Sequence, residues 1–513
     1  MAKKSMVRSI GAVSLITLLS RVLGLVREMV RAWALGTSIY ADAFSLAFSL
    51  PNLFRRLTAE GAMSNAFIPV FCDLDKESGR ERALAFSASF FWVLAVLLCG
   101  ATTLLIWQTP WLVTHVFAAG FRGETLEITI LLTRLMFGYL VLISLAAVAQ
   151  GVLNSVGVFW VSAVTPVWLN IAIIGSAVGF ASFFDNPAIP FAIGVMIGGL
   201  AQLCFQVPYL RLNRLRFFGN PLFDPKIKDV FVLIVPTLFG VGVYQINILI
   251  SNLIATTLGT GALSALSFSN RLLELVLGVF VVSITTVMLP RLSGFFAEQR
   301  MGDITALLSK TLAVVAFVTL PVTALTYGLA DEMVSLLFQR GEFGQTSMEM
   351  TAGALRFHII GLTFIALNRI LLTAYQGAKR IKLTLWVSLV VMLVNIAGAY
   401  GFAESMGHLG IAWASSLSQM VQLACLVFLL PKLNLLGVLN RRFFTSFAIS
   451  LAASLALWGG LVFLRPLVGH WSPWVSFPGL SIFGVMFYLL VSLVFRSPES
   501  RGLLARIKSK QAV

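Results

Sequence analysis

The chain has 513 residues, of which 58% are hydrophobic and 11% charged, with a mean hydropathy of +0.92. Soluble domains carry about 25% charged residues, so a soluble enzyme, a disordered chain and a secreted disulfide scaffold are excluded, as is an outer-membrane barrel with its weakly alternating strands. The net charge of +16 would suggest nucleic acid in a soluble protein; in this composition it is the Lys and Arg of cytoplasmic loops, and no nucleic-acid partner is expected.

The chain opens with Lys3, Lys4 and Arg8 before an apolar stretch that holds Arg21 and Arg27 and has no small-residue cleavage site. This predicts a retained first helix, not a cleaved signal peptide. Apolar runs long enough for a bilayer of about 30 Å predict fourteen spans, at 6–35, 38–73, 82–108, 124–153, 157–183, 188–211, 227–258, 262–290, 303–329, 345–377, 382–404, 408–431, 441–465 and 474–496. With a cytoplasmic N-terminus, twenty-four loop Lys and Arg fall inside and only Arg122, Arg340 and Arg465 outside. That asymmetry supports an even count and two cytoplasmic termini.

The chain repeats itself. Gln150-Gly151, Trp160-Val161-Ser162 and Asn170-Ile171-Ala172 return as Gln376-Gly377, Trp386-Val387-Ser388 and Asn395-Ile396-Ala397, at offsets of 226, 226 and 225. Leu35-Gly36-Thr37 returns as Leu258-Gly259-Thr260, and Phe67-Ile68-Pro69 matches Met288-Leu289-Pro290. Six spans separate the copies, so both have one orientation: a parallel repeat of the kind transporters build around substrate sites. The expected fold is an all-α polytopic membrane protein of about 14 transmembrane helices, divided as residues 1–218, residues 219–437 and two appended helices with a basic tail over 438–513.

Several basic residues lie inside the spans. Arg31, Lys310 and Arg369 lie near span ends, where snorkelling accounts for them; Arg134 and Arg356 are intermediate. Arg21 lies about 20 Å along its helix from Arg8, at 1.5 Å per residue. Arg55 and Arg271 are comparably deep. An arginine at helix centre costs about 2.5–3.5 kcal/mol against lipid, so Arg21, Arg27, Arg55 and Arg271 should face a wet interior. Two readings follow: a cationic cavity for an anionic substrate, or neutralisation by Glu28, Asp42, Glu60 and Glu274, with Arg56–Glu60 and Arg271–Glu274 at helical spacing. Gly24 and Pro51 beside these arginines are candidate kinks. Gly194 and Gly198 form a GxxxG suited to helix packing.

Enzymatic chemistry finds little support. His115, His358, His408 and His470 are isolated in sequence, Cys72, Cys99, Cys204 and Cys425 form no CxxC pair, and no HExxH, Walker or GxSxG motif occurs. No catalytic residue, metal or cofactor is expected. The loop around Gly328–Gln345 reads as a solvated rim. An enzyme on a polyprenyl substrate is the runner-up class.

The segments SRVLGLVRE (20–28), ADAFSLAFSLPNLFRRLTAEGAMSNAFIPVF (41–71), SNRLLEL (269–275) and MLPRLS (288–293) closely resemble the MurJ (MviN) family, lipid II flippases of the MOP exporter superfamily. The resemblance covers essentially the whole chain. It implies a carrier that moves undecaprenyl-diphosphate disaccharide pentapeptide, lipid II, from the cytoplasmic to the outer leaflet of the bacterial inner membrane for cell wall synthesis. It also implies alternating access, a lipid-tail groove at the last two helices, and the cell wall synthesis machinery as a candidate partner. By motif, the implied substrate-binding residues are Arg21, Arg27, Asp42, Arg55 and Arg271, with Ser20, Asn52 and Glu60 as weaker members. One departure is Ala399, four residues after Asn395, where some relatives place a carboxylate that helps bind sodium; a sodium site of that kind is not expected. An O-antigen-type flippase and a MATE-like drug exporter are the alternatives. The exporter, which carries cations, would call for cavity acids instead of arginines.

The topology is testable by labelling single cysteines from outside intact cells. Gly120, Asp185, Arg340 and His470 should be reachable and Ser78, Phe218, Arg380 and Val438 should not. Reversal of any consecutive pair would contradict the count.

Overall fold

The computed structural model describes residues 2–56, 66–213, 224–468 and 471–502. Sixteen helices run in chain order: α1 (Ala2–Leu35), α2 (Ile39–Arg55), α3 (Ile68–Ser78), α4 (Arg80–Leu112), α5 (Gly123–Ser155), α6 (Phe159–Gly179), α7 (Ile189–Leu212), α8 (Ile227–Ala255), α9 (Ala262–Ala297), α10 (Met301–Gly328), α11 (Ala330–Phe338), α12 (Gln345–Gly377), α13 (Ile381–Met406), α14 (His408–Phe428), α15 (Arg441–Val468) and α16 (Pro473–Val494). No strand occurs among the described residues. Every predicted span coincides with a helix, with two differences. The second span is α2 followed by α3, and the α-helix widens into π turns at Arg56 and at Ala66–Phe67, on either side of the residues between them. The predicted rim loop contains α11, which buries Ala330, Met333, Val334 and Phe338. That spacing is a helical face, too short to register as a span.

Among the described residues, ten helices are long and apolar enough to cross a membrane: α4–α7, α10 and α12–α16. Their outward faces are apolar and open, as at Trp107 on α4 and Phe463 on α15. Such faces suit hydrocarbon and would be aggregation surfaces in water. The remaining four spans, on α1, α2–α3, α8 and α9, are the first two of each repeat. Three of them carry the intramembrane arginines. The molecule is an all-α polytopic membrane protein.

Two compact units divide the chain: Met1–Ser264 with Arg340–Phe343, and Ala265–Gln339 with Gly344–Val513. The repeat divides between α7 and α8, but α8 packs with the first unit. Ile227 and Val230 at its start join the core of Phe67, Phe86 and Phe90. Arg82 on α4 donates to Asp224 just before it. At its far end Thr256 Oγ1 accepts from Gly120 N at 3.2 Å.

Each unit has one central helix. In the first it is α5, packed on α2, α4 and α7; in the second it is α12, packed on α10 and α14. The repeated glycines explain themselves. A Cβ on Gly151 would press on Phe67 at 3.0 Å, and one on Gly377 would press on Leu292 and Phe296 at 3.4 Å. Both let a central helix approach the end of its own repeat's second span. Gly36 and Gly259 each adopt a positive φ, +55° and +93°, which places glycine after the first helix of each repeat. The GxxxG packs as expected: a Cβ on Gly194 would lie 2.7 Å from the Ile173 Cα of α6.

In the second unit, α15 packs on α10, where Leu457 and Leu461 meet Phe317 and Leu329. On α16, Tyr488 donates to the Phe317 carbonyl at 2.8 Å. An ion cluster secures this attachment. Arg356 Nη2 donates to Asp331 Oδ2 at 2.6 Å, Arg465 donates to the same oxygen, and Arg465 Nε reaches Glu332 Oε1 at 2.7 Å. The rim loop is therefore a partly buried network, and Arg356 and Arg465 are paired structural charges.

Burial alone would raise the Asp331 carboxyl, but the Arg465 and Arg356 guanidinium groups outweigh it and hold it below the usual carboxylate range. A depressed folded pKa contributes stability above the unfolded value of about 3.9, which is lost as pH falls through the folded value. Asp331→Asn should lower the melting temperature at pH 7 by roughly 2–4 °C, the shift of about 1 kcal/mol in a large domain. It should also shrink the wild type's loss of melting temperature below about pH 4. Superimposable melting curves at both pH values would contradict this role.

Candidate functional site

Arg27, Glu28 and Arg31 gather on α1 where it meets α6, with Phe48 of α2 alongside. On α1, Arg27 Nε and Nη2 donate to Glu28 Oε1 at 3.2 and 2.6 Å, and Arg31 Nη2 lies 3.1 Å from Glu28 Oε2. One carboxylate thus serves two guanidinium groups, and Arg31 also lies within electrostatic reach of the Asp42 carboxylate. Glu28 and Arg31 are each 4% exposed. Arg31, expected to snorkel, is instead buried in this trio. Partial neutralisation makes burial bearable, since unpaired buried charges cost several kcal/mol each.

Arg27 also reaches beyond its own helix. Its Nη1 donates to Asn170 Oδ1 of α6 at 3.2 Å, and its guanidinium lies 5.6 Å from the Phe48 ring centre of α2. Asn170 Nδ2 donates back to the Ser20 carbonyl at 3.2 Å. Ser20 and Arg27 are seven residues apart, so they share a face of α1, and helical side chains lean toward the N-terminus. One amide therefore touches both. Ser20 enters through its backbone oxygen. Arg21, half-buried, lies 120° around the helix from Arg27 by the 100° step per residue and makes no ion pair among the described residues.

On α2, Arg55 Nε donates to Asn52 Oδ1 at 2.8 Å. Phe48 and Arg55 are also seven apart, so Arg55 shares the face that Phe48 turns to Arg27, about 10 Å further along. Glu60, and with it the expected Arg56–Glu60 pair, lies outside the described residues. Asp42, at the start of α2, is 1% exposed. Its Oδ2 accepts from Gly261 N at 2.6 Å and its Oδ1 from Ser264 N at 2.8 Å. The carboxylate expected to orient an arginine has both oxygens on backbone amides and also lies within electrostatic reach of Arg31. It caps the first turn of α9, whose orphan N–H groups and dipole favour an anion.

In the second unit, Arg271 on α9 pairs with Glu274 at 3.2 Å, with side chains 34% and 39% exposed. This is the i,i+3 pair expected from spacing, and so open a pair adds little stability. Two residues earlier, Ser269 lies 2.8 Å from His358 Nδ1 of α12, and both are buried. That contact fixes α9 beside Arg271. His358 reads as isolated in sequence because its partner is on another helix. Asn170 carries only the signal of its recurrence as Asn395. No group of three or more His, Cys, Asp or Glu gathers as a metal site among the described residues.

The comparisons with known proteins agree with one another. A family model described as lipid II flippase MurJ matches residues 31–481. A probable lipid II flippase MurJ of Vibrio cholerae is 33% identical over 515 residues, covering 96% of each chain. The lipid II flippase MurJ of Burkholderia cenocepacia is 35% identical over 411 residues, covering 79% of this chain and 80% of its own. Among solved structures, a lipid II flippase MurJ in an inward closed conformation superposes with a TM-score of 0.79 at 23% identity, covering 96% of this chain and 99% of that one. An inward-facing MATE transporter of the MOP superfamily gives 0.71 at 16% identity, covering 83% and 99%. At those identities the structures report the fold alone.

The α9 cap gives a prediction independent of any substrate. Asp42→Ala removes an acceptor for two amides and should cost about 1–2 kcal/mol of stability, read as a lower melting temperature. Asp42→Asn, which keeps one acceptor oxygen, should cost less. Equal melting of all three proteins would contradict the cap.

Proposed function

This chain belongs to the MurJ family of lipid II flippases, and we propose that it carries lipid II from the cytoplasmic to the outer leaflet of the bacterial inner membrane by alternating access, supplying peptidoglycan synthesis. The observation that carries this reading is Arg27: it shares the Glu28 carboxylate with Arg31, is held by the neutral Asn170, and keeps one N–H on each terminal nitrogen among the described contacts. The linkage in lipid II is a diphosphate with about two negative charges, and arginine forks match phosphate oxygens two at a time.

In this proposal Arg21, Arg27 and Arg55 of the first unit bind the diphosphate. Asn52 accepts from Arg55 Nε and orients it, and Glu60 is kept as a weaker member on its motif alone. Ser20 contributes its carbonyl to the frame around Arg27. Asp42 acts at a distance, by fixing the start of α9. Arg271, in the second unit, is a separate anion contact, since its exposed pair with Glu274 exchanges readily for a phosphate. Both termini are cytoplasmic, as the loop charges require. The protein works as a carrier without covalent chemistry, and the enzymes that consume lipid II at the outer face are its natural partners. A MATE-like exporter of cations is disfavoured by the excess of guanidinium over carboxylate in α1 and α2.

The test is rescue of cells depleted of their lipid II flippase, with lipid II in the outer leaflet measured directly and membrane abundance measured beside it. Arg27→Ala should abolish transport at normal abundance. Arg27→Lys, which keeps the charge and loses the fork, should fail nearly as badly. Loss of protein in place of loss of transport would indicate a purely structural pairing. Full activity in the single Ala variants of Arg21, Arg27, Arg55 and Arg271 would overturn the site.

A further inference from the structure

We infer that Asn170 is a positioning residue that aims the Arg27 guanidinium at the anionic part of the substrate while leaving its charge uncancelled; the inference rests on the reading of Arg27 as a diphosphate ligand. Asn170 is 5% exposed on α6, and both halves of its amide are engaged by α1. Its oxygen takes Arg27 Nη1 and its nitrogen gives to the Ser20 carbonyl, each at 3.2 Å. The amide is locked in orientation, because a flip would set an N–H against a guanidinium and an oxygen against a carbonyl.

The donors of Arg27 can be counted. A guanidinium has five N–H groups. Glu28 takes the one on Nε and one on Nη2, and Asn170 takes one on Nη1. One N–H on each terminal nitrogen remains among the described contacts, and two such donors are the set a phosphate engages in bidentate fashion. Phe48 covers the guanidinium at 5.6 Å. The side chain is therefore fixed from three helices before any ligand arrives, which lowers the ordering cost of binding.

The identity of the third partner decides the charge. A carboxylate at Asn170 would hold Arg27 as firmly, but it would add one negative charge beside Arg27. A neutral amide gives orientation alone. A merely structural amide bridging α1 and α6 would be indifferent to that distinction.

The experiment measures lipid II binding to purified full-length protein, with melting temperature recorded for each variant. Asn170→Asp should weaken binding by about tenfold or more with melting unchanged or raised, since Arg27 gains an acid. Asn170→Ala should weaken binding by freeing the guanidinium. The double variant E28Q/N170D restores the wild-type number of charges around Arg27 and should recover much of the binding lost in N170D. Wild-type binding by N170D, with Arg27→Ala defective, would overturn the role of Asn170 and leave Arg27 standing. A further loss in E28Q/N170D, with lowered melting, would reduce Asn170 to a structural bridge. Wild-type binding by Arg27→Ala would overturn both readings.

Discussion

An arginine within a membrane-spanning helix must avoid hydrocarbon, where it costs about 2.5–3.5 kcal/mol even on the milder insertion scale, and it must also avoid complete neutralisation if it is to hold an anion. The first unit meets both requirements around Arg27. Glu28 divides one negative charge between Arg27 and Arg31, and Asn170 and Phe48 supply contacts that carry no charge. Asn52 does the same for Arg55. The rest of the architecture serves this arrangement. The long apolar helices provide a lipid-facing exterior.

The second unit shows the opposite use of the same residue type. Arg356 and Arg465 are bound to Asp331 and Glu332, two bases against two acids with nothing left over. Such a cluster fastens α15 to α11 and α12, with each guanidinium held by a carboxylate. Arg27 differs in that a neutral amide holds part of its guanidinium.

Much of this was legible in the sequence because hydropathy is a local property. Fourteen apolar runs predicted fourteen spans, and the recurring glycines marked positions where backbone geometry permits no side chain, as Gly36 and Gly259 show. Spacing also identified the Arg271–Glu274 pair, since i,i+3 neighbours meet on any helix. What sequence could not supply was the partner from another helix. Asn170 lies 143 residues from Arg27, and His358 lies 89 from Ser269. Arg31 read as a snorkelling residue because depth was inferred from span ends, whereas its burial follows from Glu28 lying one turn away on the inner face. Asp42 lies within electrostatic reach of Arg31, but its hydrogen bonds to the amides at the start of α9 depend on a loop 219 residues downstream.

The central claim is that fixed, incompletely neutralised guanidinium groups recognise the diphosphate of lipid II. The most direct measurement compares binding of purified protein to lipid II and to an analogue with the same glycan, peptide and prenyl chain joined by an uncharged linkage. The account predicts that the analogue binds at least about tenfold more weakly and that raised ionic strength narrows the gap. Equal affinity for the two lipids would contradict it and place recognition in the sugar or the tail.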